Sequence, residues 1–296
     1  MNDPRARTAA ESSLRWCSAS PYSGRVTYAG RSGLSTSKNE SSKELWGKAP
    51  EATLVFWVIK ILATTLGETG GDAVTMSMNL GYLVGTAIFA AVFILAVGLQ
   101  IAAKKFHPFL FWGVIIATTT AGTTLADLVD RSLGIGYLGG STILFVLLMA
   151  TLAVWHRTLG SVSIASITTR KAEIFYWITV MFSQTLGTAL GDWMADGETG
   201  LGLGYERGAM MFGGGLAIVC ALYFWTRVAR TLLFWAAFIL TRPLGAMVGD
   251  LLDKPHEKGG LALSRYTASA VLAALILACV IFLPQKAEKA TPATPA

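Results

Sequence analysis

Four aspartates recur in this sequence at one fixed distance from a tryptophan. Asp72, Asp127, Asp192 and Asp250 each lie fifteen residues after Trp57, Trp112, Trp177 and Trp235, and each tryptophan follows Phe or Tyr. All four aspartates fall inside long apolar runs, where an ionised carboxylate costs at least ~2.5–3.5 kcal/mol on insertion scales. A residue type this unfavourable, placed four times at one register, is a candidate for chemistry. On an α-helix the positions 4, 7 and 11 before each aspartate lie within about 40° of it. That stripe reads Asp72, Glu68, Thr65 in the first copy, Asp127, Thr123, Thr120 in the second and Asp192, Thr188, Thr185 in the third. The fourth offers only Asp250, with Ala246 and Pro243. These are hard oxygen donors with no Cys, Met or His among them, which suits Mn²⁺, Mg²⁺, Ca²⁺ or protons better than Cu⁺ or Zn²⁺.

Five acids, Glu68 with the four aspartates, face one basic residue expected at the same depth, Arg242, read as an internal counter-charge. The imbalance favours a bound cation or shared protons. Asp72, Glu68, Asp127 and Asp192 form the expected metal or cation set, with Asp250, Thr65, Thr120, Thr123, Thr185 and Thr188 as further ligands. A bound divalent cation is the one cofactor this donor set suggests. The contrary reading makes each aspartate a cap for the Gly-rich turn that follows, whose backbone N–H groups need acceptors.

The elements that must position these residues are long. Of 296 residues 53% are hydrophobic and only 14% charged, and mean hydropathy is +0.53. The charges cluster between runs of roughly 20 apolar residues, the length that crosses a hydrocarbon core of about 30 Å. Eight helices are expected near 54–76, 82–102, 109–129, 137–156, 174–194, 208–226, 232–252 and 264–283. They give an all-α polytopic membrane protein of four tandem two-helix repeats, at about 54–105, 109–158, 174–228 and 232–284, within a membrane domain of 49–284. Residues 1–48, rich in Ser and Arg, and 285–296, rich in Ala, Pro and Thr, read as disordered tails.

Lys104, Lys105, Arg157, Arg170, Lys171, Arg227 and Arg230 follow the even helices, and both tails are basic near the membrane domain. The positive-inside rule then puts both termini in the cytoplasm. The net charge of +6 reflects this orientation; no nucleic-acid partner is expected, and the lipid bilayer is the partner the composition demands. A small cation is the expected substrate; a homo-oligomer is compatible with the sequence and not required by it. Cys17, Cys220 and Cys279 follow no metal or redox spacing. His107, His156 and His256 do not recur, and neither Gly-x-Ser-x-Gly nor His-Glu-x-x-His occurs, so no enzyme is expected.

Small residues four apart mark a second stripe on the odd helices: Gly67 with Gly71, Gly122 with Ala126, Gly187 with Gly191, Gly245 with Gly249. Such spacing lets membrane helices approach closely. The odd helices are therefore expected to pack centrally, with carboxylates near one another and the Leu/Ile/Val-rich even helices outside. The tryptophans read as interfacial anchors, and so do the repeated tyrosines Tyr82, Tyr137, Tyr205 and Tyr266.

Phe/Tyr-Trp, then Thr-x-Gly-x-x-x-Gly-Asp, then Leu-Gly-x-Gly-Tyr resembles the repeat of the bacterial "uncharacterised membrane-anchored protein" family, a short membrane repeat of unknown function. The resemblance covers about residues 50–284 and implies a multi-pass protein of the bacterial inner membrane; it brings no activity with it. Copy 4 departs from the pattern, with Arg242-Pro243 in place of the threonines and no Gly-Tyr turn. The expected function is transport of a cation, a divalent metal or a proton-coupled ion, on the odd-helix carboxylates. A non-transporting scaffold or partner-binding protein, and a transporter of small organic solutes, are the alternatives.

Overall fold

A computed structural model describes residues 46–289. Eight long helices occur among the described residues: α1 Leu54–Asp72, α2 Gly81–Ala102, α3 Pro108–Asp127, α4 Tyr137–Leu159, α5 Arg170–Ala195, α6 Gly204–Trp225, α7 Arg230–Asp253 and α8 Arg265–Phe282. Each lies close to its expected position. Thr53 and Thr169 cap α1 and α5 by accepting from the amides of Phe56 and Ala172, and Pro108 opens α3, where its missing N–H is not needed. After Asp72 and Asp127 the helices run on as π-helical turns, Ala73–Ser77 and Leu128–Ser132.

Seven of the eight are long and apolar enough to cross a membrane. The exception, α5, has a physical reason: its buried face is polar, with Thr179, Ser183, Gln184, Thr185 and Thr188 all inside the protein.

The odd helices form a closed ring. α1 packs on α3, α3 on α5, α5 on α7, and α7 returns to α1. The glycine stripe makes this possible, though glycine does not face glycine. A side-chain carbon on Gly67 would sit 2.2 Å from Thr119 Oγ1, on Gly122 3.0 Å from the amide of Thr185, on Gly187 2.4 Å from Arg242 Cγ, and on Gly245 2.1 Å from Thr64 Oγ1. Each glycine thus receives the next odd helix around the ring. Threonine hydroxyls tie the contacts across helices: Thr119 donates to Ala63 O, Thr123 to Gly67 O and Thr64 to Thr241 O, each at 3.2 Å.

Each even helix lies outside the ring, as expected, but packs chiefly on the odd helix of the following repeat. α2 packs along α3, α4 along α5, α6 along α7, and α8 closes the circle on α1. Their outward faces are apolar and open, for example Leu83, Ile94, Leu95, Val146 and Ile218, the surface a lipid-facing helix presents.

Two expectations are corrected. The tryptophans are not interfacial anchors: Trp57, Trp112, Trp177 and Trp235 are buried in the ring. The aromatic residue of each repeat meets the tryptophan of the next, with centroids 5.4 Å apart for Phe56–Trp112, 5.9 Å for Phe111–Trp177, 6.3 Å for Tyr176–Trp235 and 5.6 Å for Phe234–Trp57. This four-way pinwheel closes the end of the ring where the odd helices begin. The second correction concerns the chain segments beside the helices, read as disordered tails. Trp46–Pro50 (β1) and Ala287–Lys289 (β2) pair antiparallel, and Lys48 is anchored by Glu173 at 2.6 Å and by Ile101 O at 3.0 Å. The rest of both expected tails, 1–45 and 290–296, lies outside the described residues.

Candidate functional site

All ten residues expected to contribute ligands are buried: Glu68, Asp72, Asp127, Asp192, Asp250, Thr65, Thr120, Thr123, Thr185 and Thr188. They line the ring interior from its middle to the end opposite the aromatic pinwheel. Thr65, Thr120 and Thr185 donate to carbonyls one turn back on their own helices, Ile61, Ile116 and Met181.

The expected shortage of bases is wrong. Arg131 Nε lies 2.8 Å from Asp127 Oδ1, and its Nη2 lies 3.3 Å from Asp192 Oδ2. Lys254 Nζ pairs with Asp72 Oδ2 and sits 3.0 Å from Asp250 Oδ1. Each base follows the motif aspartate of its own repeat by four residues, one helical turn, and then reaches the aspartate of the next repeat. Copies 2 and 4 supply the cations; copies 1 and 3 have Met76 and Asp196 at that position and receive them. The result is two aspartate–cation–aspartate clusters in a fourfold frame of helices. Arg265 from α8 adds a further bond, 3.1 Å from Asp253 Oδ2 and 3.8 Å from Asp72 Oδ2.

Arg242, expected as a counter-charge, pairs with one acid. Fully buried on α7, it lies 2.9 Å from Glu68 Oε2 on α1, donates to Thr123 Oγ1 on α3 at 2.6 Å, and donates to Thr188 Oγ1 on α5. One guanidinium therefore joins all four ring helices. Below it Lys60, also fully buried, lies 4.2 Å from the centroid of Phe238, a cation–π contact. Lys60 was missed, although a lone lysine in an apolar run is a visible signal.

Among the described residues, the acids close enough to share one ion are Asp72, Asp250 and Asp253, with one carboxylate oxygen from each within 4.8 Å of the others. Of the expected set of Asp72, Glu68, Asp127 and Asp192, Asp72 alone belongs to this trio: Asp127 and Asp192 lie across Arg131, and Glu68 pairs with Arg242.

A cavity of about 540 Å³ opens at this end, lined by Arg131, Tyr137, Asp192, Asp196, Tyr205, Lys254 and Arg265 among others. Two of the repeated tyrosines thus face the site, and a third, Tyr82, accepts from Arg131 at 3.5 Å. Tyr266 is exposed. At the rim the Thr199 hydroxyl and amide hold the Asp196 carboxyl below its usual range. Burial pulls the Lys254 ammonium down, but Asp250, Asp72 and Asp253 outweigh it and hold the group well above its usual value. His107, His156 and His256 are exposed and take no part.

The four copies of this arrangement match one family model, the Repeat of Unknown Function (DUF347), at residues 55–106, 110–161, 175–229 and 233–284. The chain belongs to that repeat family. Its boundaries run from just before each tryptophan to the end of each even helix, the units seen in the sequence. No curated protein and no solved structure matches the chain. Family membership therefore brings the repeat and no assigned chemistry, and function rests on the geometry of this chain.

Proposed function

We propose that this DUF347 protein is a multi-pass protein of the bacterial inner membrane that transports a small cation on the carboxylates of its helix ring. All eight helices cross the bilayer in this reading, with the polar face of α5 turned into the ring and Ile174 and Ile178 outward. The strand end, which gathers both described chain ends and the basic connections after α2, α4 and α6, faces the cytoplasm. The observation that carries the reading is one-sided access. The cavity is lined by Arg131, Asp192 and Lys254 of the two aspartate clusters, buried Glu68 and Arg242 continue the polar interior, and the aromatic pinwheel packs the ring where the odd helices begin. A substrate path open on one side and closed on the other is what alternating access requires.

Carboxylates held by protein cations also fit exchange. Each motif aspartate has a partner that protonation or an entering ion would release, so occupancy and ion pairing are coupled. The rival reading, a scaffold, draws on the same pairs: a carboxylate already matched by a fixed base can serve helix packing alone.

Proteoliposomes separate the two. Wild-type protein loaded against a Mn²⁺ or proton gradient should dissipate it, followed by trapped dyes for each ion. D72N and D127N should abolish the flux and still insert and elute monodisperse. Wild-type flux in both variants would exclude the carboxylate mechanism; no flux from the wild type with any hard cation or proton would favour the scaffold.

A further inference from the structure

The two aspartate clusters are alike in plan and differ in the cation that fills them. In one, Arg131 lays a planar fork across Asp127 and Asp192. An arginine has five donors in fixed directions and stays charged, so it joins two carboxylates as a rigid clip. In the other, Lys254 places a compact ammonium on a flexible stem between Asp72 and Asp250. An ammonium is a point charge, which a metal ion can replace; it cannot replace a fork.

The lysine cluster has a third acid, Asp253, and oxygens without partners. One carboxylate oxygen of Asp72 and one of Asp253 lie fully inside the protein and accept no hydrogen bond. The two side chains are 1% and 0% exposed. A buried acceptor left without a donor is unfavourable, and the missing group here must be a donor or a cation. The spacing has room for one: oxygens bound to a common Mg²⁺, Mn²⁺ or Ca²⁺ stand about 3–4.8 Å apart, and the trio lies within 4.8 Å.

Charge points the same way. With Lys254 withdrawn, three carboxylates face Arg265 and leave two negative charges, the complement of one divalent ion. Lys254 has a place to go, since it already lines the cavity together with the acidic residues Asp192, Asp196 and Glu198.

We propose that Asp72, Asp250 and Asp253 form a binding site for a hard divalent cation, with Lys254 as the tethered competitor that occupies it until the ion enters. The Arg131 cluster is then the counterpart that a metal ion does not enter, open to protonation of its carboxylates but not to replacement of its forked cation. The inference deepens the transport reading, and gives it one substrate class and one gate, but binding itself can be tested without transport.

The test is Mn²⁺ binding to the purified full chain in nanodiscs, read from the electron paramagnetic resonance signal of the free ion. The wild type should bind one Mn²⁺ weakly. K254Q, which removes the competitor's charge and keeps most of its size, should bind at least tenfold more tightly. The double variant K254Q/D253N should lose that gain. Equal affinity in wild type and K254Q, or undiminished binding in the double variant, would overturn the proposal. If K254Q cannot be recovered folded, K254R decides instead: a guanidinium held by several bonds should bind Mn²⁺ more weakly than the wild type, and unchanged binding would overturn it. Binding that follows these variants in a protein that moves neither Mn²⁺, another hard cation nor protons across proteoliposomes would keep the site and sink the transport reading. Flux with binding indifferent to Lys254 would do the reverse.

Discussion

Arg131 and Lys254 occupy equivalent places, each four residues after the motif aspartate of an even-numbered repeat and each bridging to the aspartate of the repeat that follows around the ring. The relationship turns a fourfold helix arrangement into a twofold electrostatic one. Alternate repeats provide the cation and the others receive it, so no two adjacent repeats are chemically equal. Arg242 breaks the symmetry further, since it serves Glu68 alone among the acids.

The Glu68–Arg242 pair should behave as a unit. Removing one partner of a buried pair leaves an uncompensated charge and costs about 3–5 kcal/mol. E68Q and R242M should each lower the thermal unfolding midpoint in detergent sharply, and the double variant should recover most of the loss. Additive losses would mean that the two groups do not depend on each other.

The ring glycines should be intolerant where the next helix touches them. G187A puts a methyl 2.4 Å from Arg242 Cγ, and G245A puts one 2.1 Å from Thr64 Oγ1. Overpacking of this kind costs about 1–3 kcal/mol. G113A and G213A, with nothing within 4 Å, should leave the melting midpoint unchanged or slightly raised. A G245A protein as stable as the wild type would show that α7 and α1 can separate without loss.

Trp112 should act as part of the seal. W112A removes a fully buried ring from the pinwheel, expected to destabilise by about 3–5 kcal/mol and to give proteoliposomes a passive ion leak. Trp225 is 84% exposed on the outer face of α6, and W225A should do neither. A tight W112A vesicle would place the closure elsewhere.

The acid response of the cavity rim has a definite sign. Hydrogen bonds from Thr199 lower the Asp196 carboxyl below its unfolded value, so their contribution is present above the ordinary carboxylate range and is lost as pH falls through the lowered value. T199V should therefore move Asp196 protonation to higher pH, readable as an upward shift of its carboxyl resonance titration in selectively labelled protein. An unmoved titration would mean that the turn does not hold the charge.

The sequence by itself determined the repeat, the eight helices and the inward placement of the odd ones, because all three follow from local periodicity. Period fixes which face of a helix is polar or small, and a polar face among apolar runs must turn toward its own kind. The bases beside the motif were legible too: the Asp-x-x-x-Arg of repeat 2 and the Asp-x-x-x-Lys of repeat 4 place each cation one turn from its acid. Neither was assigned a partner, because both lie just past the expected helix ends at 129 and 252, and the π-helical turn Leu128–Ser132 carries Arg131 beyond the first of these. The tryptophans were misplaced for a related reason. An indole suits an interface and a packed core equally well, and only the closing of four helices put all four of them inside.

What the tertiary structure alone decided is which repeat serves which. Lys254 meets Asp72 across 182 positions of chain, and α8 lies on α1 because the ring closes, a constraint no local pattern encodes. The partners of a buried charge are set by the order of helices around that ring, and that order exists only once the first and last repeats are in contact.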